Sequence, residues 1–233
     1  MARQGDETGD GGRILDAAVL HVVFDGWSEA TLKAAAAETG LSEALVRAHY
    51  PRGVVDLAAA YHRRDDARMM AALDGANLGQ LRFRDRIARA VRLRLEGADR
   101  EVVRRGAALF ALPQNAVTGA SLVWGTADAI WCALGDRSQD FNWYTKRATL
   151  SAVYSATVLF WLGDESAGQE ETWAFLDRRI EDVMRIESAK ARVRDNPTLS
   201  RVLRGPLDLM ARIRPPSDPA RDLPGRLQDE EPA

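Results

Sequence analysis

The chain has little cysteine, little imbalance of charge and no long unbroken apolar run, and each shortage excludes a class of protein. Cys132 is the one cysteine among 233 residues, so no disulfide staples the fold and no cysteine cluster holds a metal, which fits a reducing compartment. Lys and Arg number 32 against 34 Asp and Glu. A total this close to neutral removes the electrostatic grip that carries most nucleic-acid affinity. Residues 1–12 are rich in Gly and acid, without a basic start followed by an apolar stretch, so they read as a frayed tail and not as a secretion signal. The nearest approaches to a membrane span are residues 106–127 and 148–163. Pro113, Gln114 and Asn115 interrupt the first, and the second falls short of the roughly 20 residues a spanning helix needs.

What is present is helical pattern. With 46% hydrophobic and 28% charged residues the chain can bury a core, and its apolar positions recur three and four apart with almost no alternation, which predicts an all-α protein. Helices are expected at about 13–24, 31–39, 43–49, 54–70, 83–96, 100–112, 115–134, 143–162 and 169–194, with terminators at Gly26 and Gly40, a cap at Ser42 and a break at Pro51 and Gly53. Helix 83–96 is the most basic stretch, with Ile87, Val91 and Leu95 as its inward stripe. The expected organisation is a tail (1–12), a three-helix unit (13–53), a helical bundle (54–196), an amphipathic segment (197–214) and a Pro- and acid-rich tail (215–233) that is disordered.

Ile14-Leu15-Asp16-Ala17-Ala18, then Gly26-Trp27, Thr31, Ala36, Gly40-Leu41-Ser42 and His49-Tyr50, resembles the helix-turn-helix of TetR-family repressors. Gly40 permits the tight turn and Ser42 caps the second helix. Where such repressors usually carry a small residue and Thr, then Tyr, this chain has Ala44, Leu45 and Arg47, and Gly53 replaces the lysine usual just after the helix. Four basic residues against five acidic ones over 13–53 leave this unit at about −1, so the helix-turn-helix is read as degenerate and no nucleic-acid partner is expected. A ligand-responsive TetR-type regulator is the alternative reading.

The stretch Gly135-Asp136-Arg137-Ser138-Gln139-Asp140-Phe141-Asn142-Trp143-Tyr144-Thr145-Lys146-Arg147, with Ala148 to Tyr154, Thr172-Trp173 and Phe175-Leu176 to Met184, resembles the ubiquinone-biosynthesis accessory family, coenzyme Q protein nine. The resemblance implies a TetR-like all-α fold, a homodimer, a hydrophobic pocket for an isoprenoid quinone or phospholipid, and assistance to the di-iron hydroxylase that acts on demethoxyubiquinone. It implies lipid presentation and not catalysis. The family's partner-binding patch would fall on Asp128, Ile130, Trp131, Asp140, Trp143, Tyr144 and Arg147. The lack of a mitochondrial targeting segment and the short acidic tail suggest a bacterial member, cytoplasmic and peripheral to the inner membrane.

Read from the residues alone, several of these positions have two uses. Asp140 is placed to cap the helix at Trp143 and Arg147 to pair with Asp136 or Asp140; equally, an Arg with two aromatics at a helix start suits an exposed recognition patch. Leu109, Leu112, Pro113, Val123 and Trp124, facing Val153, Leu159 and Trp161, make a core or, with Gly119 and Gly125 leaving room between helices, a lipid-binding pocket. Leu199, Val202, Leu203, Leu207, Met210 and Ile213 share one side of a segment with a net charge of +3, which suits an anionic membrane surface or docking on the body. No catalytic residue, metal site or cofactor is expected: His21, His49 and His62 lack ligand spacing, and Glu170 and Glu171 lack the Glu-x-x-His partners of a di-iron bundle.

Overall fold

The computed structural model describes residues 9–136 and 141–194. In them the chain forms nine α-helices and no strand: α1 (Asp10–Asp25), α2 (Glu29–Thr39), α3 (Glu43–His49), α4 (Val54–Asp74), α5 (Phe83–Glu96), α6 (Arg100–Ala111), α7 (Ala116–Ala133), α8 (Phe141–Gly163) and α9 (Glu170–Arg194). Asp140 and the segment 198–214 with Leu199, Val202, Leu203, Leu207, Met210 and Ile213 lie outside the described residues.

Local chemistry sets the ends of the first helices. Gly26 and Gly40 close α1 and α2 with φ of 66° and 69°, a region that other residues enter at a cost. Ser28 and Ser42 cap α2 and α3 by accepting from the amides of Thr31 and Leu45, each at 3.3 Å. The Ser28 cap moves the start of α2 to Glu29, ahead of the expected Thr31, whose hydroxyl instead donates to the Gly26 carbonyl at 2.6 Å. The Tyr50 hydroxyl donates to the Gly11 carbonyl at 2.7 Å and ties the end of the helix-turn-helix to the start of α1.

Two apolar cores follow. The first joins Ile14, Ala18 and Val22 to Leu32, Ala35 and Val46, and is sealed by Leu57 and Tyr61 of α4 and Val102 of α6. The three-helix unit therefore shares its core with the bundle, because three short helices cannot cover their own apolar faces. The second core gathers Met69, Leu95, Ile130, Leu150, Trp161 and Leu176 from α4, α5, α7, α8 and α9. Asp164 fastens the turn into α9: its carboxylate accepts from the Ser166 amide at 2.8 Å, the Thr172 amide at 2.9 Å and the Thr172 hydroxyl at 2.5 Å. Among the described residues no helix is long and apolar enough to cross a membrane.

Candidate functional site

Between α4, α5, α6, α7 and α8 the chain leaves a cleft of about 270 Å³, at the lower end of the roughly 300–1,000 Å³ of small-molecule pockets. Its walls are apolar, from Ala58, Val102, Phe110, Leu122, Val123 and Val158. Exposed Ala111, Ala116, Ala120 and Leu159 stand at its open side. Gly119 brings α7 against α6: a methyl group added there would lie 2.8 Å from the Phe110 Cβ, so the glycine sets the width of the cleft. Gly125 meets nothing within 4 Å and makes no such approach.

The inner end is polar and tightly paired. Arg94, whose side chain is 2% exposed, donates from Nε to Asp66 Oδ1 at 2.6 Å and from Nη2 to the His62 carbonyl at 3.2 Å, with Nη1 3.5 Å from Asp65 Oδ2. Burial works against its charge, but Tyr154, Asp66 and Asp65 more than offset this and hold the guanidinium protonated. The Thr126 hydroxyl stands 3.0 and 3.1 Å from the two Asp66 oxygens, and His62 Nε2 lies 2.8 Å from the same hydroxyl. Burial pushes His62 down to about 4, so the imidazole is neutral at physiological pH despite Asp66 beside it. Burial likewise pushes the Tyr61 and Tyr154 hydroxyls up to about 12, which keeps both as donors. His62, Arg94, Tyr61, Tyr154 and Ser155 all line the cleft.

The structure disperses the eight expected lipid-binding residues. Val123 and Leu159 line this cleft. Leu109 is half-buried against the first core, and Leu112 and Pro113 are exposed in the turn between α6 and α7. Trp124 stacks obliquely with Trp143 and Tyr144, at centroid distances of 5.9 and 6.4 Å. Val153 belongs to a second apolar cleft, of about 280 Å³, with Phe83, Ile87, Trp131 and Ile180. Trp161 is packed in the second core, 2% exposed, its indole donating to Gln169 Oε1 at 2.8 Å.

The expected partner patch divides by burial. Ile130, Trp131 and Arg147 are buried. Arg147 donates to Asp128 Oδ1 at 2.5 Å and Asp136 Oδ2 at 3.1 Å, and its guanidinium lies 4.1 Å from the centre of the Trp143 ring. It therefore holds the patch from beneath and does not reach outward. Asp128, Trp143 and Tyr144 are half-buried and face out in part. The local pairing of Arg147 with Asp136 is present, and Asp128 is a second partner that sequence proximity did not suggest.

The polar end of the cleft escaped sequence reasoning, although its signal is there. Arg94 lies in the most basic helix of the sequence, yet it falls seven residues after Ile87 and three after Val91, on the inward stripe. Asp65 sits between Tyr61 and Met69 on the buried stripe of α4. Among the described residues no group of His, Cys, Asp and Glu is arranged to hold a metal ion.

Residues 116–187, which span α7, α8 and most of α9, match the family model described as COQ9. Over 181 residues the chain is 33% identical to the mitochondrial ubiquinone biosynthesis protein COQ9 of Drosophila melanogaster, covering 75% of this chain and 55% of that protein. To the COQ9 protein of Rattus norvegicus it is 35% identical, covering 74% and 58%, and to that of Homo sapiens 33%, covering 74% and 57%. The chain thus spans a little over half the length of these curated relatives. A TetR transcriptional regulator from Nitrosomonas europaea superposes with a TM-score of 0.61 at 24% identity, over 73% of this chain and 95% of that one, a likeness of fold alone.

Proposed function

We propose, from the match of residues 116–187 to the COQ9 family model and the likeness to the COQ9 proteins, that the chain serves ubiquinone biosynthesis as a non-catalytic lipid-binding protein. It takes up an isoprenoid quinone precursor and presents it to the demethoxyubiquinone hydroxylase at the membrane. The observation that carries this reading is the cleft walled in part by α7 and α8 of the matched domain, apolar on its walls from the polar inner end outward and open at Leu159 and Ala120. A polyprenyl chain needs such a lining and no charge. In this reading Asp128, Trp143 and Tyr144 meet the hydroxylase, with Arg147, Trp131 and Ile130 as their buried support. The segment 198–214 rests on the anionic membrane surface and the chain works as a homodimer.

The reading is tested by hydroxylation of demethoxyubiquinone held in anionic vesicles. Adding this protein to the hydroxylase should raise the rate, and Ala120→Trp should remove most of the gain. Ala120 is exposed on α7 and lines the cleft, so the indole obstructs entry while the fold changes by no more than about 0.5 kcal/mol. No stimulation, or hydroxylation by this chain without the hydroxylase, would overturn the proposal. The lining gives the regulator alternative nothing of its own, and a sequence-specific DNA shift by the full chain would revive it.

A further inference from the structure

Where the chain enters α5, apolar and basic side chains alternate on the surface. Residues 81–86 read Leu-Arg-Phe-Arg-Asp-Arg. Leu81 is 37% and Phe83 43% exposed, and Arg82 between them is exposed as well. The backbone is extended at Leu81 and Arg82, with φ/ψ of −88°/146° and −64°/154°. Successive side chains of extended backbone point opposite ways, which puts Leu81 and Phe83 on one side of the turn and Arg82 on the other. Arg86 fixes the turn, donating from Nε to the Leu81 carbonyl at 3.0 Å and from Nη2 to the Gly79 carbonyl at 3.5 Å. Apolar residues exposed singly are ordinary on a protein surface; two on one side of a turn that an arginine holds in place are not.

The charge of this turn is not balanced locally. Over residues 78–88 Arg82, Arg84 and Arg86 stand against Asp85, a net of +2 in a chain whose total is −2. Asp85 pairs with Arg84 at 3.3 Å, while Arg82 and Arg86 make no ion pair among the described residues. The apolar side continues into the second cleft. Phe83 lies against Trp131, with ring centres 5.5 Å apart, and lines that cleft with Ile87, Ile180 and Met184, the last 44% exposed. α9 passes the cleft at Met184 and runs on to Arg194, about 15 Å farther at 1.5 Å per residue, so the chain comes to segment 198–214 from this same end of the molecule. Arginines interleaved with large apolar side chains suit an anionic bilayer, where guanidinium meets headgroup phosphate while Leu and Phe leave water for the acyl boundary. A purely acidic surface would answer the arginines and leave Leu81 and Phe83 wet; a purely apolar one would bury Arg82 and Arg86 without a partner.

We propose that the turn at the start of α5 is a membrane contact in its own right, with Leu81 and Phe83 entering the interface of an anionic bilayer and Arg82, Arg84 and Arg86 meeting its headgroup phosphates. This rests on the membrane-bound state in the reading above and adds to segment 198–214 a second point of contact, built into the folded body, which fixes how that body faces the bilayer. Trp131, against which Phe83 packs, lies three residues after Asp128 on α7. The patch offered to the hydroxylase therefore stands beside the membrane surface, where an enzyme with a membrane-held substrate meets it.

The test uses the full chain with vesicles of phosphatidylcholine, alone or mixed with phosphatidylglycerol. Arg82→Gln/Arg84→Gln should lower affinity for the mixed vesicles by at least about tenfold, since one basic residue at an anionic surface is worth about fivefold. Arg47→Gln removes an exposed charge from α3, in the helix-turn-helix unit, and should change the affinity by less than about twofold. An environment-sensitive fluorophore attached through Gln80→Cys, in a Cys132→Ser background, should brighten and shift to the blue on the mixed vesicles and stay unchanged on phosphatidylcholine alone. Gln80 is exposed beside Leu81, so the label reports on the turn without disturbing its packing. Unchanged affinity in the double variant, an equal loss per charge from Arg47→Gln, or a label that stays silent while the protein floats with the vesicles would overturn this contact and leave segment 198–214 as the anchor. Native protein that binds neither kind of vesicle would overturn the membrane-bound state itself, and this contact with it.

Discussion

At the scale of single residues, His62 stays neutral for a reason its sequence neighbours hide. Asp66, four residues on, should raise the affinity of His62 for a proton, and at a solvated helix surface it would. In the fold His62 faces an apolar cleft and its side chain is 18% exposed, so desolvation outweighs the carboxylate and brings the group from 6.5 to about 4. The unfolded chain then binds the extra proton first. Stability is complete above about pH 6.5 and is lost as pH falls toward 4, by up to about 3 kcal/mol at 1.36 kcal/mol per unit. His62→Phe removes the group that titrates. The variant should therefore lose less stability than the native protein over that interval in denaturant unfolding at stepped pH. Parallel pH profiles would contradict the burial argument. Asp65 moves upward through burial, opposed by Arg94, and is common to both proteins, so the difference isolates His62.

At the scale of elements, the helix-turn-helix and the bundle were legible to different depths. The limits of α3 and α5 follow from Ser42, Pro51 and the Ile87–Leu95 stripe, because caps and period are local properties. Ser28 and Thr31 are both cap residue types, and it is the Gly26 carbonyl, brought close by the turn and accepting from the Thr31 hydroxyl, that leaves Ser28 as the cap. The site was less legible than the helices. A pocket is a relation between elements distant in sequence, and apolar side chains at helical spacing look alike whether they face a neighbour or a cleft. Val123 and Leu159 reached the cleft while Trp161 went to the core. Gly119 and Gly125 looked equivalent until α6 was placed over one of them. That difference is measurable: Gly119→Ala puts a methyl against Phe110 and should cost about 1–3 kcal/mol through overpacking. Gly125→Ala, with open space around it and a gain in helix propensity, should be neutral or stabilising by up to about 1 kcal/mol. Equal effects in chemical denaturation would contradict the α6–α7 packing described.

At the scale of the whole molecule, a fold like that of a TetR transcriptional regulator contains a bundle segment that matches the COQ9 family model. The two halves are not independent, since Tyr61 of α4 and Val102 of α6 sit in the core of the N-terminal unit and also line the cleft. A ligand in the cleft therefore touches both halves. In a regulator that contact would move the helix-turn-helix on DNA. Here α3 opens on Glu43, and Arg47 Nη2 lies 3.9 Å from Glu29 Oε2; in the proposed carrier the shared core has the task of holding the cleft together. As proposed, this chain carries an isoprenoid quinone precursor and does not act on it. The most direct measurement is native mass spectrometry of gently purified protein, followed by organic extraction and identification of the compound released. The compound expected is a polyprenylated benzoquinone or its precursor, unchanged after incubation with the protein and absent from Ala120→Trp. An empty native protein that binds its own promoter DNA would contradict it.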